Sequence, residues 1–301
     1  MFLRYTKVIK EQLEKILSSK DGQKHYRLLP AMQYICLNNN SKLLRPNLFM
    51  SSIQICGRDP NNFTHIACAI EMAHCYSIVH DDLPCMDNDD IRRKKKALHK
   101  QFDENIAVLT GNALLTDAFN IIANSEVTAV TGHLSASKIV SLLYSLSTLI
   151  GSQGMLLGQA LDLNPDDKIT SDFIYTVHKL KSGNLFSAAT KMGAIISTSD
   201  QAVVEIMKKI GMLIGLLLQT VDDIEDFEKD EKINIAKTKG IAAAQKLCDK
   251  YIKQVYLNTD TVKKILAQNN RNKQISHLQQ TGINDVISIC NLVYQRTLAF
   301  K

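Results

Sequence analysis

Between Val203 and Val221, apolar residues recur every three or four positions: Val203, Ile206, Met207, Ile210, Leu213, Ile214, Leu217 and Val221. A stripe sustained for about five turns predicts a long helix with one face against a core. That helix runs directly into Asp222-Asp223-Ile224-Glu225-Asp226. The same succession occurs earlier in the chain. Ile66, Ala69, Ile70 and Ala73 predict a helix with one buried stripe between His65 and His80, and it runs into Asp81-Asp82-Leu83-Pro84-Cys85-Met86-Asp87. A weaker stripe of Val108, Leu115, Ala118, Phe119 and Ile122 predicts a third core-facing helix between Ile106 and Ile122.

Each acidic run lies where a folded chain would not leave it uncompensated. On a helix, Asp222 and Asp226 are one turn apart and face the same way, with Asp223 beside them. Like charges so placed repel, and the negative end of the helix dipole adds to the cost. A solvated helix end tolerates such a cluster, but this one continues one of the most apolar helices of the chain. At the first run, Pro84 lacks an amide donor and clashes with the preceding turn, so an undisturbed helix is excluded. A bulge there would return Asp87 to the side of Asp81. His74 lies two turns before Asp81, on the same face. Asn88, Asp89 and Asp90 extend the acidity before the sign reverses at Arg92 and Arg93. Carboxylates followed at once by paired arginines suit a site that binds metal ions and a polyanion together, because Arg offers a planar fork to phosphate oxygens. Hard oxygen ligands with no Cys or His cage favour Mg2+, which shares its shell with water and substrate phosphates. The implied ligand is a diphosphate.

Composition narrows the fold and the partners. Five Pro and thirteen Gly in 301 residues are too few for the turns of a sandwich or barrel, so the chain reads as nearly all α. Breakers near Gly57 to Pro60, Gly151 to Gly158, Asn164-Pro165 and Gly183 read as loops between long helices. No composition break or linker divides the chain, which predicts one domain over residues 1–301. With 45% apolar and 22% charged residues the chain is globular rather than disordered. Its net charge of +6 is concentrated only at Arg92 to Lys96, with no interleaved aromatics, so nucleic acid is not expected as a partner. Seven cysteines, an odd number with no C-x-x-C pair, predict free thiols in a reducing cytoplasm. Charges at Arg4, Lys7, Lys10, Glu11 and Glu14 interrupt any signal-peptide core. The longest uninterrupted apolar run, around Met212 to Leu218, falls short of the ~20 residues a bilayer span needs, so no membrane span is expected.

Taken in order, Lys42 and Arg45-Pro46, Glu71 to Asp82, Asp87, Arg92-Arg93, Gly111 to Leu114, Gly158-Gln159 to Leu163, Lys181-Ser182-Gly183, Gln219 and Asp222-Asp223 with Asp226 resemble the trans-prenyl (polyprenyl) diphosphate synthase family. The likeness is greatest to bacterial-type farnesyl diphosphate synthases (geranyltranstransferases). The resemblance implies a bundle of ten or more helices around a central cavity, usually a homodimer. It implies Mg2+, about three ions per site, held by Asp81, Asp87 and Asp222 with Asp82, Asp223 and Asp226 in support. The allylic diphosphate would meet Arg92, Lys181 and Lys232, and isopentenyl diphosphate would meet Lys42, Arg45, His74 and Arg93. Ser182 and Gln219 would face the developing allylic cation. Tyr76, with Ser77 beside it, would floor the cavity, which together with the extra residues Leu83 to Met86 goes with a farnesyl product.

The implied reaction is ionisation of an allylic diphosphate, condensation with isopentenyl diphosphate, and loss of a proton. Departures from the family pattern leave other readings open. Asn40-Ser41-Lys42-Leu43 stands where Gly-Gly-Lys-Arg is usual, Lys94 where glycine is usual, and Asn112 where aspartate is usual. The loop from Asp226 to Lys232 is also short. The alternatives are a geranylgeranyl diphosphate synthase, a non-catalytic partner subunit of a prenyl synthase, and a class I terpene cyclase.

Overall fold

The three apolar periodicities each become a helix in the computed structural model, which describes residues 3–18, 27–124, 134–165, 169–229, 233–269 and 274–300. The fold is all-α, with a two-stranded hairpin as the one sheet among the described residues. By contacts the chain forms two compact units, residues 1–50 with 61–143, and residues 51–60 with 144–301.

The first unit contains α1 (Thr6–Ile16), α2 (Leu28–Cys36), the beginning of α3 (Leu44–Ile55), α4 (Thr64–Asp81), the hairpin β1 (Ile91–Arg92) and β2 (Lys95–Lys96), α5 (Leu98–Phe102), α6 (Glu104–Ala123) and the first half of α7 (Ala136–Ile150). At its centre α4 packs against α1, α2 and α6. The expectation of a single buried stripe on α4 is corrected: every residue from Thr64 to Ala73 is buried. Small side chains explain this, because Ala67, Cys68, Ala69 and Ala73 let neighbouring helices approach from several sides. Each fully buried Ile or Met on α4 contributes about 1.5–3 kcal/mol of hydrophobic stabilisation.

Helix α6 also departs from its predicted face. Its buried stripe is Ala107, Thr110, Gly111, Leu114, Ala118 and Ile122, whereas Val108 and Leu109 are 41% and 53% exposed. The true stripe is built from small residues, which a count of large apolar side chains overlooks. Gly111 is essential to it, since a Cβ there would lie 2.0 Å from His80 Nε2, and the ring rests against α6 with Nε2 3.2 Å from the Val108 carbonyl.

The second unit contains the end of α3, the remainder of α7, α8 (Met155–Leu163), α9 (Ser171–Val177), a π-helical turn (His178–Gly183), α10 (Asn184–Ser197), α11 (Gln201–Glu225), α12 (Ile235–Lys239), α13 (Ile241–Gln268), α14 (His277–Tyr294) and a closing 3-10 turn (Gln295–Phe300). Asp200 caps α11 by accepting from the Ala202 and Val203 amides at 2.9 and 3.3 Å. The helix is amphipathic at first and then buried on all sides from Leu213 to Leu217 between α10 and α13. Two of the expected loop markers lie inside helical structure: Gly158 is in α8 and Gly183 closes the π turn. They serve close packing rather than turning.

All seven cysteines are free thiols. Among the described residues two stretches, Glu104–Ala123 and Ala136–Leu163, contain an 18-residue window with a mean hydropathy of 1.5 and 1.4 and are long enough to cross a membrane. The second contains the Gly151–Gly154 turn between α7 and α8, and each has about a third of its window buried.

Candidate active site

In the first unit the chemistry gathers at the C-terminal end of α4. The helix stops at Asp81 because Pro84 cannot continue it, and the chain folds back in a compact turn. Asn88 donates its amide to the Leu83 carbonyl at 3.1 Å, and Asp87 donates its amide to the Asp81 carbonyl at 2.8 Å. Asp87 is thus returned to Asp81, through a turn beyond the helix end instead of a bulge within it. Asp81 is half-buried and Asp87 is exposed, while Asp82 between them points inward and is 1% exposed.

Arg92 meets that inward carboxylate. Its Nε donates to Asp82 Oδ1 at 2.7 Å, and its terminal nitrogen lies 2.5 Å from both Asp82 Oδ1 and Asp89 Oδ2. Burial pushes the Asp82 carboxyl up, and the Arg92 guanidinium opposes that shift. The hairpin sets this position: β1 and β2 pair Ile91 with Lys96 and Arg92 with Lys95. The turn residues Arg93 and Lys94 both have positive φ, +50° and +62°. A side chain pays for that conformation, which explains the glycine expected at 94.

Arg93 turns the other way, into a buried cluster. Its guanidinium lies 3.6 Å from Glu71 Oε1, which also accepts from Ser41 Oγ at 2.9 Å. Asn40 Nδ2 donates to the Arg93 carbonyl at 2.9 Å. Asn40 and Ser41, standing where glycines were expected, therefore tether Arg93 and Glu71 through their side chains. Leu43, where an arginine was expected, is buried. Arg45 donates to His74 Nε2 at 3.0 Å, which fixes the ring as a neutral acceptor there. Burial first, then Arg45, Arg93 and Arg92, hold its pKa well below the usual histidine value. Lys42 is exposed. On α4, Tyr76 is buried with its ring edge-on to His80 at 5.9 Å, and Ser77 Oγ donates to the His74 carbonyl.

In the second unit the π turn and the end of α11 carry the remaining residues. Lys181 forms an ion pair with Asp162 of α8. Ser182 Oγ donates to Gln219 Oε1 at 2.6 Å, and Gln219 Nε2 donates to Asp223 Oδ1 at 3.3 Å. Asp223 is 1% exposed and its other oxygen accepts the Ile235 amide at 2.6 Å. Asn234 Nδ2 donates to the Asp223 carbonyl while Asn234 caps α12. His178 Nε2 lies 3.3 Å from Asp223 Oδ2 without hydrogen-bond alignment, and burial then Lys181 lower its pKa to about 3, so the ring is neutral. Asp222, by contrast, is half-exposed and bound by Arg296 at 2.6 Å, and Asp226 lies 2.7 Å from Lys229 Nζ. Lys232 lies outside the described residues. Asn112 is exposed on α6.

A π turn inserted between α9 and α10 is what turns Lys181 and Ser182 toward these partners. Gly158 permits it, because a Cβ at that position would lie 2.3 Å from the Lys181 amide nitrogen. A cavity of about 410 Å3 in this unit, lined by Met212, Leu216, Tyr251, Lys209 and Lys250, also touches His178 and Ile235, the neighbours of Asp223, but none of the site residues expected from sequence.

Each unit therefore presents aspartates sorted into inward ones that brace the fold and outward ones that face solvent, with basic side chains beside them. The polyprenyl synthetase family model matches residues 25–281. The chain belongs to the polyprenyl synthetase family. It is 41% identical over 215 residues to a farnesyl diphosphate synthase of Micrococcus luteus, covering 71% of each chain. Over 293 residues it is 32% identical to geranylgeranyl pyrophosphate synthase 7 of Arabidopsis thaliana, covering 96% of this chain and 81% of the relative. Among solved structures, a Helicobacter pylori geranyltransferase superposes with a TM-score of 0.80 at 28% identity, covering 97% of this chain and 98% of that one. The same enzyme complexed with magnesium and isoprenyl diphosphate gives a TM-score of 0.77 at 28% identity, covering 95% and 96%. This polyprenyl synthetase is a transferase of the trans-prenyl type.

Several partners escaped the sequence reading. Glu71 had a local signal, an isolated acid in an apolar helix three residues before His74. Asn234 had one as well, a helix cap before Ile235. Asp162 lay inside the stretch Gly158-Gln159 to Leu163 without a role of its own, and Arg296 had no signal, since each meets its partner across 19 and 74 residues of chain.

Proposed function

We propose that this polyprenyl synthetase condenses isopentenyl diphosphate with allylic diphosphates, dimethylallyl and geranyl, and that farnesyl diphosphate is the main product. The observation that carries the reading is the pairing, in both units, of a site carboxylate with a cation that a phosphate could claim: Arg92 on Asp82 and Asp89, and Lys181 on Asp162. Family membership and the magnesium complex of the Helicobacter pylori relative support use of Mg2+. Among the described residues no three His, Cys, Asp or Glu side chains converge to cage a metal. That suits an ion whose shell is completed by diphosphate and water, and the guanidinium already between Asp222 and Glu225 marks a place that demands a cation. Asp81, Asp87 and Asp222, with Asp226, would hold about three ions, which supply Lewis-acid stabilisation of the departing diphosphate.

The chain's own residues do the rest. Arg92 and Lys181 bind the leaving diphosphate once its oxygens replace Asp89 and Asp162 as partners. Arg45, Arg93 and Lys42 bind isopentenyl diphosphate, and neutral His74 donates from the nitrogen that Arg45 leaves free. Ser182 and Gln219 turn oxygen lone pairs toward the positive charge that develops on the allylic carbon. Buried Tyr76 limits the tail. The residue range 1–301 acts as one catalytic domain. A second copy of the chain covers the exposed Val108 and Leu109 of α6 and Val140 and Tyr144 of α7, giving a homodimer.

Geranylgeranyl diphosphate is the second reading, because relatives bearing that name match 96% and 88% of this chain. The test is incubation with dimethylallyl and isopentenyl diphosphates and Mg2+, followed by phosphatase treatment and chromatography. Farnesol is expected, and geranylgeraniol would move the product assignment. A parallel incubation supplies geranyl diphosphate with and without isopentenyl diphosphate: turnover without it would indicate a cyclase, and no turnover in any mixture would indicate a partner subunit.

A further inference from the structure

The end of α11 concentrates Asp222, Asp223, Glu225 and Asp226 at the negative end of a 25-residue helix. Asp223 is satisfied by the Ile235 amide and Gln219, and Asp226 by Lys229. Asp222 and Glu225 are served from far along the chain. Arg296 Nε donates to Glu225 Oε1 at 2.8 Å, and one terminal nitrogen donates to both Glu225 Oε2 and Asp222 Oδ1, the latter at 2.6 Å. The backbone that carries Arg296 is anchored on both sides. Thr297 is buried and donates to the Tyr294 carbonyl at 2.8 Å, and the Tyr294 hydroxyl bonds to Asp249. The three paired side chains, however, remain 23% to 36% exposed, so water and ions reach them. Rotation of one arginine side chain is enough to break its bond to Asp222, with no unfolding of the turn.

We propose that Arg296 is a built-in counter-cation of the second acidic cluster: it holds Asp222 and Glu225 in the metal-free protein and is displaced from Asp222 when magnesium with diphosphate binds. The inference rests on the reading of Asp222 as a metal ligand. It makes Arg296 a positioning residue that keeps the carboxylates apart from other cations and sets the magnesium concentration at which the site loads. Glu225 is the carboxylate to which the arginine remains attached after Asp222 is given up, because two of the three hydrogen bonds go there.

The measurement is thermal melting of the full chain, followed by circular dichroism, with MgCl2 titrated in the presence of inorganic pyrophosphate. Arg296→Gln is expected to melt lower than wild type without metal and to reach half of its magnesium-induced rise at a concentration about two- to fivefold lower. Arg296→Lys, which keeps the charge but loses the fork, should fall between them and serves if the glutamine variant folds poorly. An unchanged or raised magnesium midpoint in both variants overturns the inference while leaving Asp222 as a ligand. A wild-type protein whose melting does not respond to magnesium and pyrophosphate overturns the inference together with the metal reading on which it stands.

Discussion

Ser182 donates its hydroxyl proton to Gln219 Oε1 at 2.6 Å, so the π turn and α11 are joined by a side-chain bond that does not use the serine oxygen's lone pairs. A group that acts on charge developing only in the transition state affects turnover more than substrate binding. Ser182→Ala should lower kcat by about tenfold with little change in either KM. Steady-state kinetics with geranyl and isopentenyl diphosphates distinguish this from a binding role, which would raise the allylic KM and spare kcat.

Asp222 and Asp223 are neighbours with opposite duties. Asp223→Ala strips the buried Ile235 amide and Gln219 of their acceptor and should cost about 1–3 kcal/mol of stability. Asp222→Asn touches a part-exposed pair and should cost no more than about 1 kcal/mol while abolishing most activity. Urea denaturation of the two variants checks the order, and equal losses would show that Asp223 does not brace α11 against α12.

Gly158→Ala should damage the site from a distance. The new Cβ would meet the backbone of Leu180 and Lys181, which cannot move aside as a flexible side chain would. Overpacking of this kind costs about 1–3 kcal/mol. Because the displaced backbone carries Lys181, the KM for the allylic diphosphate should rise together with the loss of stability. A variant that melts early but retains its KM would separate the packing from the binding.

Tyr76 should decide product length. Its ring is buried and, through burial and then Asp81, its hydroxyl pKa is pushed up to about 12, so it is neutral and uncharged toward a hydrocarbon tail. Tyr76→Ala should shift the main product to at least one further five-carbon unit, read by chromatography of the dephosphorylated products. An unchanged chain length would place the floor on another helix.

Acid should destabilise the fold through its buried histidines. Burial lowers the pKa of His65 to about 4. Below the unfolded value near 6.5 the unfolded chain binds a proton that the folded chain refuses, so stability falls as pH drops from 6.5 to about 4 and then levels. His178 acts in the same direction down to about 3, whereas Glu71 and Asp82, whose pKa values are raised by burial, act in the opposite direction. The difference between wild type and His65→Gln isolates one group: it should change by up to about 1.4 kcal/mol per pH unit over that window. A constant difference across urea melts at pH 7, 6 and 5 would contradict the burial of a neutral His65.

The chain's local sequence determined three of its long helices and the place where α4 stops. Apolar spacing marked α4, α6 and α11, Pro84 ended α4 so that Asp87 came back to Asp81, and the two acidic runs marked helix ends that need a compensating cation. These depend on residues within a turn or two of one another, which is the range over which spacing carries information. Which aspartate looks inward depended instead on what packs beside it. Asp82 is drawn in by Arg92 and Asp223 by the amide of Ile235, whereas Asp222 is left to an arginine 74 residues away. The small-residue stripe of α6, the burial of α4 on every side and the close approach at Gly158 were likewise decided by neighbouring helices, because space in a core is allotted by tertiary contact and not by the side chain that happens to occupy it.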